Sequence, residues 1–300
     1  MADARSTITA GVLSVAYRRL GPCGGWPVVL LHGFPYDAHA YDEVAARLAD
    51  AGADVVVPWL RGCGATRFLD PLTPRSGQQA ALGRDLLTLL DALGWPAAVL
   101  AGYDWGGRAA CVVSALWPER AAGLVSVNGY NIQQIATAGE PVNPIAERRL
   151  WYQYYLHGER GRRGLEANRR EFAQVLWHEW SPTWTGAAAQ FAATAPSLDN
   201  PDYVDVVVHS YRHRFGLVPG DPAYDDDEAA LARQPRITVP ALTLDGADDG
   251  VNPAANAAER GRNFDRLIEH RIVPGAGHNV PQENPLSFAA AVLTVHDALR

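Results

Sequence analysis

The chain is 300 residues long, 48% apolar and 20% charged, with 33 acidic against 26 basic residues and a formal net charge of -7. That length and apolar content provide for one large globular domain, or one with an inserted subdomain, and exclude a disordered chain. The acidic balance, with no basic stripe along the sequence, argues against a nucleic-acid partner and reads as a solubility feature.

The three cysteines, Cys23, Cys63 and Cys111, have no metal-like spacing, and an odd number does not make a disulfide framework. The N-terminal segment lacks the basic-then-apolar pattern of a signal peptide, and no run of about eighteen apolar residues is present. The expectation is a cytoplasmic protein acting on a small molecule, with no membrane partner and no metal or other cofactor. Oligomeric state is not readable, a homodimer being one option.

Residues 8–20 alternate as a strand does, and residues 27–32 (PVVLLH) are a short apolar run suited to a strand buried on both faces. Residues 40–51 have helical spacing and stop at Gly52. Residues 54–59 (DVVVPW) read as a buried strand, 78–94 as a helix closing on Gly94, and 97–104 (AAVLAGYD) as a buried strand running into a turn. A helix through Trp117 and a strand over 123–129 (GLVSVNG) follow. This alternation predicts an α/β fold with a doubly wound parallel sheet. It returns near the end as a strand over 239–246, a helix over 253–263, a strand leading to Gly275, and a helix over 285–299. Between them, residues 131–228 lose the apolar runs and gain aromatics and arginines. We therefore expect a core from 1–130 and 229–300, with a helical cap from 131–228 lying over the C-terminal ends of the strands, where ligands bind in such sheets.

Gly102-Tyr103-Asp104-Trp105-Gly106-Gly107 lies between a buried strand and a helix. Small residues two before and two after the centre have the spacing of a nucleophile elbow, the sharp turn that raises one side chain above the sheet. The side chain here is a carboxylate. It would attack an sp³ carbon and form an alkyl ester of the enzyme, which water must then open at the aspartyl carbonyl. The bland alternative is an aspartate capping a glycine turn.

His32-Gly33-Phe34-Pro35 follows the PVVLL strand. The Phe34 amide, with the Trp105 amide, would bind the oxyanion of that second step. Pro35 fixes the chain beside the donor and His32 shapes the loop, both expected at the substrate. Gly275-Ala276-Gly277-His278 follows the last strand, so His278 is the expected base among nine histidines. An imidazole base needs a carboxylate to set its tautomer. Asp249 is the choice, with Asp248 and then Asp245 as alternatives.

In this order HGFP, RGCG (61–64), GYDWGGR and GAGH resemble the epoxide hydrolase and haloalkane dehalogenase branch of the α/β-hydrolase superfamily, over nearly the whole chain. The resemblance implies an α/β-hydrolase fold with an Asp-His-Asp triad. For an epoxide hydrolase it also implies two cap tyrosines that protonate the epoxide oxygen. Trp151-Tyr152-Gln153-Tyr154-Tyr155 offers Tyr152, with Tyr154 one turn away as the substitute, and Ser210-Tyr211-Arg212 offers Tyr211. The same residues would serve as ordinary packing aromatics if the reading failed. Haloalkane dehalogenases hold halide with indole N–H groups. Trp105 matches one, Trp177, Trp180 or Trp184 could supply another, and Trp177 is placed in the substrate pocket. Fluoroacetate-type dehalogenases share HGFP and an arginine where this chain has Arg108, but carry Asp-Arg at the elbow and a cap His-Trp where this chain has Tyr152-Gln153. The expected reaction is hydrolysis of an apolar or aromatic epoxide to a vicinal diol. A dehalogenase is the alternative, and a non-catalytic small-molecule receptor the reading from another class.

Overall fold

The computed structural model describes residues 5–300. The first strand of the expectation is two, β1 (Arg5–Ala10) and β2 (Leu13–Leu20), paired antiparallel with Ala10 opposite Leu13. Gly11, at φ +56°, takes the left-handed turn that a continuous strand over 8–20 would not allow.

From there the alternation holds. β3 (Trp26–Leu31), α1 (Asp42–Asp50), β4 (Ala53–Pro58), the two-residue β5 (Arg67–Phe68), α2 (Gln79–Leu93), β6 (Ala98–Gly102), α3 (Asp104–Leu116) and β7 (Ala121–Val127) follow in turn. A helical stretch comes next: α4 (Pro144–Arg149), α5 (Trp151–His157), α6 (Glu159–Ala167), α7 (Arg169–Trp180), α8 (Ala187–Thr194), α9 (Tyr203–His213) and α10 (Asp225–Leu231). The chain then completes β8 (Ala241–Gly246), α11 (Ala257–Arg260), β9 (Leu267–Val273), α12 (Val280–Glu283) and α13 (Pro285–Asp297). The helix expected over 253–263 is the single turn of α11. Asn256 caps it by accepting the Glu259 amide at 3.0 Å, Pro253 lies outside it, and Gly261 ends it.

The sheet runs β1-β2-β4-β3-β6-β7-β8-β9, with β5 beside β2. Pairing is antiparallel at β1, β2 and β5 and parallel from β4 to β9. It is a mostly parallel α/β-hydrolase sheet. Every residue of β4, β6 and β8 is buried, which is why these segments read as unbroken apolar runs. Register brings Leu31 opposite Gly102 and Gly102 opposite Ser126. The loops leaving β3, β6 and β7 therefore emerge side by side at one edge of the sheet. No helix among the described residues is long and apolar enough to cross a membrane.

The helical stretch is tied to the core through a buried carboxylate. Asp37, just after β3, accepts from Thr194 Oγ1 at 2.8 Å and Ser197 Oγ at 2.6 Å, and from Trp59 Nε1 at 3.2 Å. Asp37 is fully buried, so removing its side chain strands the Thr194 and Ser197 hydroxyls away from water, while the Trp59 indole keeps Ser197 Oγ. We expect Asp37→Ala to lose about 3 kcal/mol of unfolding free energy, read as a lower urea midpoint. An unchanged midpoint would show that this contact does not hold the helical stretch in place.

Candidate active site

Asp104 stands at the turn between β6 and α3 with φ +49°, a left-handed backbone that a residue with a Cβ adopts at a cost. The neighbours leave no alternative. A Cβ on Gly106 would lie 2.0 Å from the Leu31 carbonyl oxygen, and one on Gly33 would lie 2.5 Å from Asp104 Cβ. Only glycine lets β3, the turn and the start of α3 approach this closely. The carboxylate is thereby lifted to the strand ends, where the Phe34 N–H donates to Asp104 Oδ1 at 2.8 Å.

His278 arrives from the loop after β9. Its Nδ1 bonds Asp249 Oδ2 at 2.9 Å, and its Nε2 lies 3.8 Å from Asp104 Oδ2. That separation is an ion-pair distance rather than a hydrogen bond, and Nε2 has no hydrogen-bond partner. The Asp104 side chain is 14% exposed, whereas those of His278 and Asp249 are 1% and 0%. Open space thus meets the trio at the carboxylate. Asp249 is held by the amides of Val251 and Asn252, at 2.9 and 2.8 Å, and by Asn128 Nδ2 at 3.3 Å. Its neighbours are engaged elsewhere. Asp248 accepts from Thr183 Oγ1, and Asp245 pairs with Arg260 and the Ala255 amide. Of the three carboxylates, Asp249 is the one bonded to His278.

Burial alone would lower the His278 pKa. The Asp249 and Asp104 carboxylates outweigh it and push the imidazole up to about 10. Burial alone would raise Asp104, but His278, Arg108 and the Phe34 amide hold it below the usual carboxylate range. With Asp104 charged, the pair is therefore imidazolium and carboxylate at neutral pH.

Aromatic rings close the space above. Phe34 stacks on Trp105 with centroids 5.6 Å apart and meets the edge of Tyr211 at 5.3 Å. Tyr152 packs edge-on against Tyr211 at 5.3 Å and Trp180 at 5.0 Å, and Trp180 lies 5.0 Å from the His278 ring. Gln153 Nε2 donates to the Tyr152 hydroxyl at 2.8 Å, which leaves the phenolic proton free to be given elsewhere. Burial pushes Tyr152 up to about 12 and Tyr211 well above its ordinary value, so both phenols keep their protons at neutral pH.

Four expected pocket residues lie differently. His32 is buried and serves the loop: Nδ1 bonds the Gly33 carbonyl and Nε2 accepts the Leu60 amide. That pattern makes it a neutral Nδ1–H tautomer with no ring nitrogen left for substrate. The Pro35 carbonyl accepts from Trp177 Nε1 at 3.1 Å, and Trp177 stacks on Tyr36 at 4.6 Å, so this indole joins α7 to the loop. Tyr154 is exposed and bonds Glu147, so it does not replace Tyr152. Pro35, His32 and Phe34 do border a void of about 20 Å³, the size of one water.

Other residues near the trio carry no signal in the sequence motifs. Asn128, at φ +61°, holds Asp249. Glu283 accepts from Ser181 Oγ and from the amides of Gly277 and Asn279, at 2.6, 2.7 and 2.9 Å, and so fixes the histidine loop. The His278 amide donates to the Trp180 carbonyl at 3.1 Å, so the helical stretch carries part of the histidine's backbone. An Asn-Gly pair ending a buried strand and a glutamate one turn beyond the histidine are the signals that could have pointed to two of these. Among the described residues, no group of three or more His, Cys, Asp or Glu could hold a metal ion.

A buried strand, a strained carboxylate turn, and an imidazole with its own carboxylate define a hydrolase of the α/β type. The chain belongs to the α/β hydrolase fold family, whose model matches residues 27–285. Its relatives include epoxide hydrolases. It is 26% identical to epoxide hydrolase A of Mycobacterium tuberculosis over 297 residues, 90% of each chain. It is 30% identical to epoxide hydrolase B of the same organism over 195 residues, 60% of this chain and 54% of that protein, so the match spans about half of that relative. A crystal structure of a candidate epoxide hydrolase from Klebsiella pneumoniae has a TM-score of 0.96 at 46% identity, covering 98% of both chains.

The Asp104 carboxylate contributes to the raised pKa of His278. In Asp104→Asn the imidazole should therefore titrate well below 10, read from the ring Cε1–H signal by NMR. A titration midpoint unmoved by the substitution would mean the two groups are not electrostatically coupled.

Proposed function

We propose that the protein hydrolyses epoxides to vicinal diols through an ester on Asp104. The observation that carries this is a carboxylate, rather than a hydroxyl, at the raised turn, 3.8 Å from an unpartnered imidazole nitrogen. A carboxylate at that position attacks a saturated carbon and leaves an ester whose carbonyl belongs to the protein.

In the first step an Asp104 oxygen bonds to an epoxide carbon and the ring C–O bond breaks. An alkoxide is a poor leaving group, so the oxygen takes a proton from Tyr152 or Tyr211, both neutral donors by virtue of burial. Forming the ester removes the Asp104 charge that helped hold the proton on His278, so the imidazole returns it to the tyrosinate. His278 is then neutral, oriented by Asp249, and takes a proton from water as the hydroxide adds to the Asp104 carbonyl carbon. The Phe34 and Trp105 amides bind the oxyanion. Collapse breaks the ester C–O bond, the departing diol oxygen takes the proton of the added hydroxyl, and the carboxylate returns beside the imidazolium already formed. The aromatic walls suit an apolar body on the substrate.

A dehalogenase is the second reading, because the Trp105 and Trp180 indole N–H groups are buried without a partner and could hold a halide.

Asp104→Ala should abolish turnover of styrene oxide. His278→Ala should instead accumulate a covalent adduct, heavier by one epoxide on intact-mass analysis. Diol formation by that variant with no adduct at any time would sink the covalent scheme. Tyr152→Phe with Tyr211→Phe should lower kcat by about a hundredfold or more. Bromide release from a bromoalkane by this double variant at the wild-type rate, with no diol formed from styrene oxide by the wild type, would make the enzyme a dehalogenase.

A further inference from the structure

β9 ends the sheet beside β8, and no strand takes up its other side. The Val273 carbonyl accepts the Ala247 amide from the β8 side. Backbone direction alternates along a strand, so Arg271 and Glu269 turn toward β8 as well, and the N–H and C=O groups of Ile268, His270 and Ile272 point outward. An open edge of this kind is a template for another strand, and proteins ordinarily blunt it with charge, lysine above all, or with proline. The seven residues of β9 (LIEHRIV) include no lysine and no proline. Ile268 and Ile272 are instead 41% and 49% exposed, both on the face of the sheet where the His270 ring bonds Thr243 Oγ1 at 2.8 Å and the Ala255 carbonyl at 3.0 Å. Glu269 and Arg271 lie on the other face, where Arg271 Nη2 reaches Glu269 Oε2 at 2.6 Å and Thr294 Oγ1 of α13 at 3.1 Å.

We propose that β9 is the docking surface for a second copy of this chain, which adds its own β9 antiparallel and makes one sheet across the two molecules. The order of the side chains is self-complementary. With His270 opposite the His270 of the second copy at a two-fold axis, Ile268 faces Ile272 and Glu269 faces Arg271, each of them twice. The outward backbone groups of Ile268, His270 and Ile272 then exchange about six hydrogen bonds. On one face the exposed isoleucines of the two copies cover each other, and on the other every glutamate meets an arginine. The charges also fix the register. A slip of two residues in one direction sets Arg271 against itself, and in the other sets Glu269 against itself. A pairing of seven residues lies at the small end of specific interfaces, so the dimer is a reversible one with a micromolar dissociation constant.

Analytical ultracentrifugation of the full chain tests this. The wild type should be mostly dimeric at about 100 µM and mostly monomeric at about 1 µM. Glu269→Arg sets two like-charge pairs across the interface and should weaken the dimer about tenfold or more, and Arg271→Glu should do the same. Mixed in equal amounts, these two variants should associate about as tightly as the wild type, because every arginine then meets a glutamate again. Ile272→Lys, a change at an exposed position that touches neither charge, should weaken the dimer as well. A wild type that stays monomeric at about 100 µM overturns the proposal. So does a dimer as tight in Ile272→Lys as in the wild type, which would put the contact on another surface, and so does a mixture of the two charge variants that associates no better than either alone.

Discussion

The close passage of β3 beneath the turn that carries Asp104 is the constraint on which the site depends. Gly33 and Gly106 are hydrogen-sized at the two points of contact, and the Leu31 carbonyl fills what a side chain would need. Given that approach, the turn has one way to go, and Asp104 takes a left-handed backbone to follow it. The Phe34 amide then faces the carboxylate without any dedicated binding residue. The strain is offset by the surrounding sheet, whose parallel strands are buried on both faces and cannot shift to relieve it.

Electrostatics at this turn explains why a carboxylate can serve where a hydroxyl would need activating. An ionised aspartate is already nucleophilic, so in the proposed scheme the imidazole has nothing to do until the ester exists. The proton on His278 is held jointly by Asp249 and Asp104 and is loosened when one of them loses its charge. In the proposed scheme the covalent step thus arms the imidazole for the hydrolytic one. Only the Asp104 side of the trio is open, so events there govern the two closed partners.

The parts of the site that lie along a single stretch of chain are legible in the amino-acid sequence alone. The Gly-Tyr-Asp-Trp-Gly-Gly turn and the glycine loop before His278 are dictated by local backbone demands, and local demands leave a local pattern. Sequence does not separate Asp249 from Asp248, because the choice depends on which carboxylate the Val251 and Asn252 amides turn inward, a matter of loop geometry. The helical stretch is least legible. Trp177 and Trp180 are three residues apart on α7, yet one binds the Pro35 carbonyl and the other faces His278. Composition places aromatics over the sheet but does not say which face each ring takes, since that is set by contacts with distant loops. The hairpin at Gly11 and the shortened α11 escape the sequence pattern for the opposite reason. There a single backbone-specific residue interrupts a segment that its side chains would carry through.

The Trp180 carbonyl couples the helical stretch to the loop that carries His278. It accepts the amides of both Gly250 and His278, at 3.0 and 3.1 Å, so one oxygen rivets the end of α7 to two loops of the sheet. Swinging that helix aside would break both bonds and let go of the base. The end of α7 is thereby fixed to the same two loops that carry Asp249 and His278. The broad cleft lies on α4, α5 and the end of α9 instead, so the open surface of the helical stretch and the contact that fixes the His278 loop belong to different helices of the same roof.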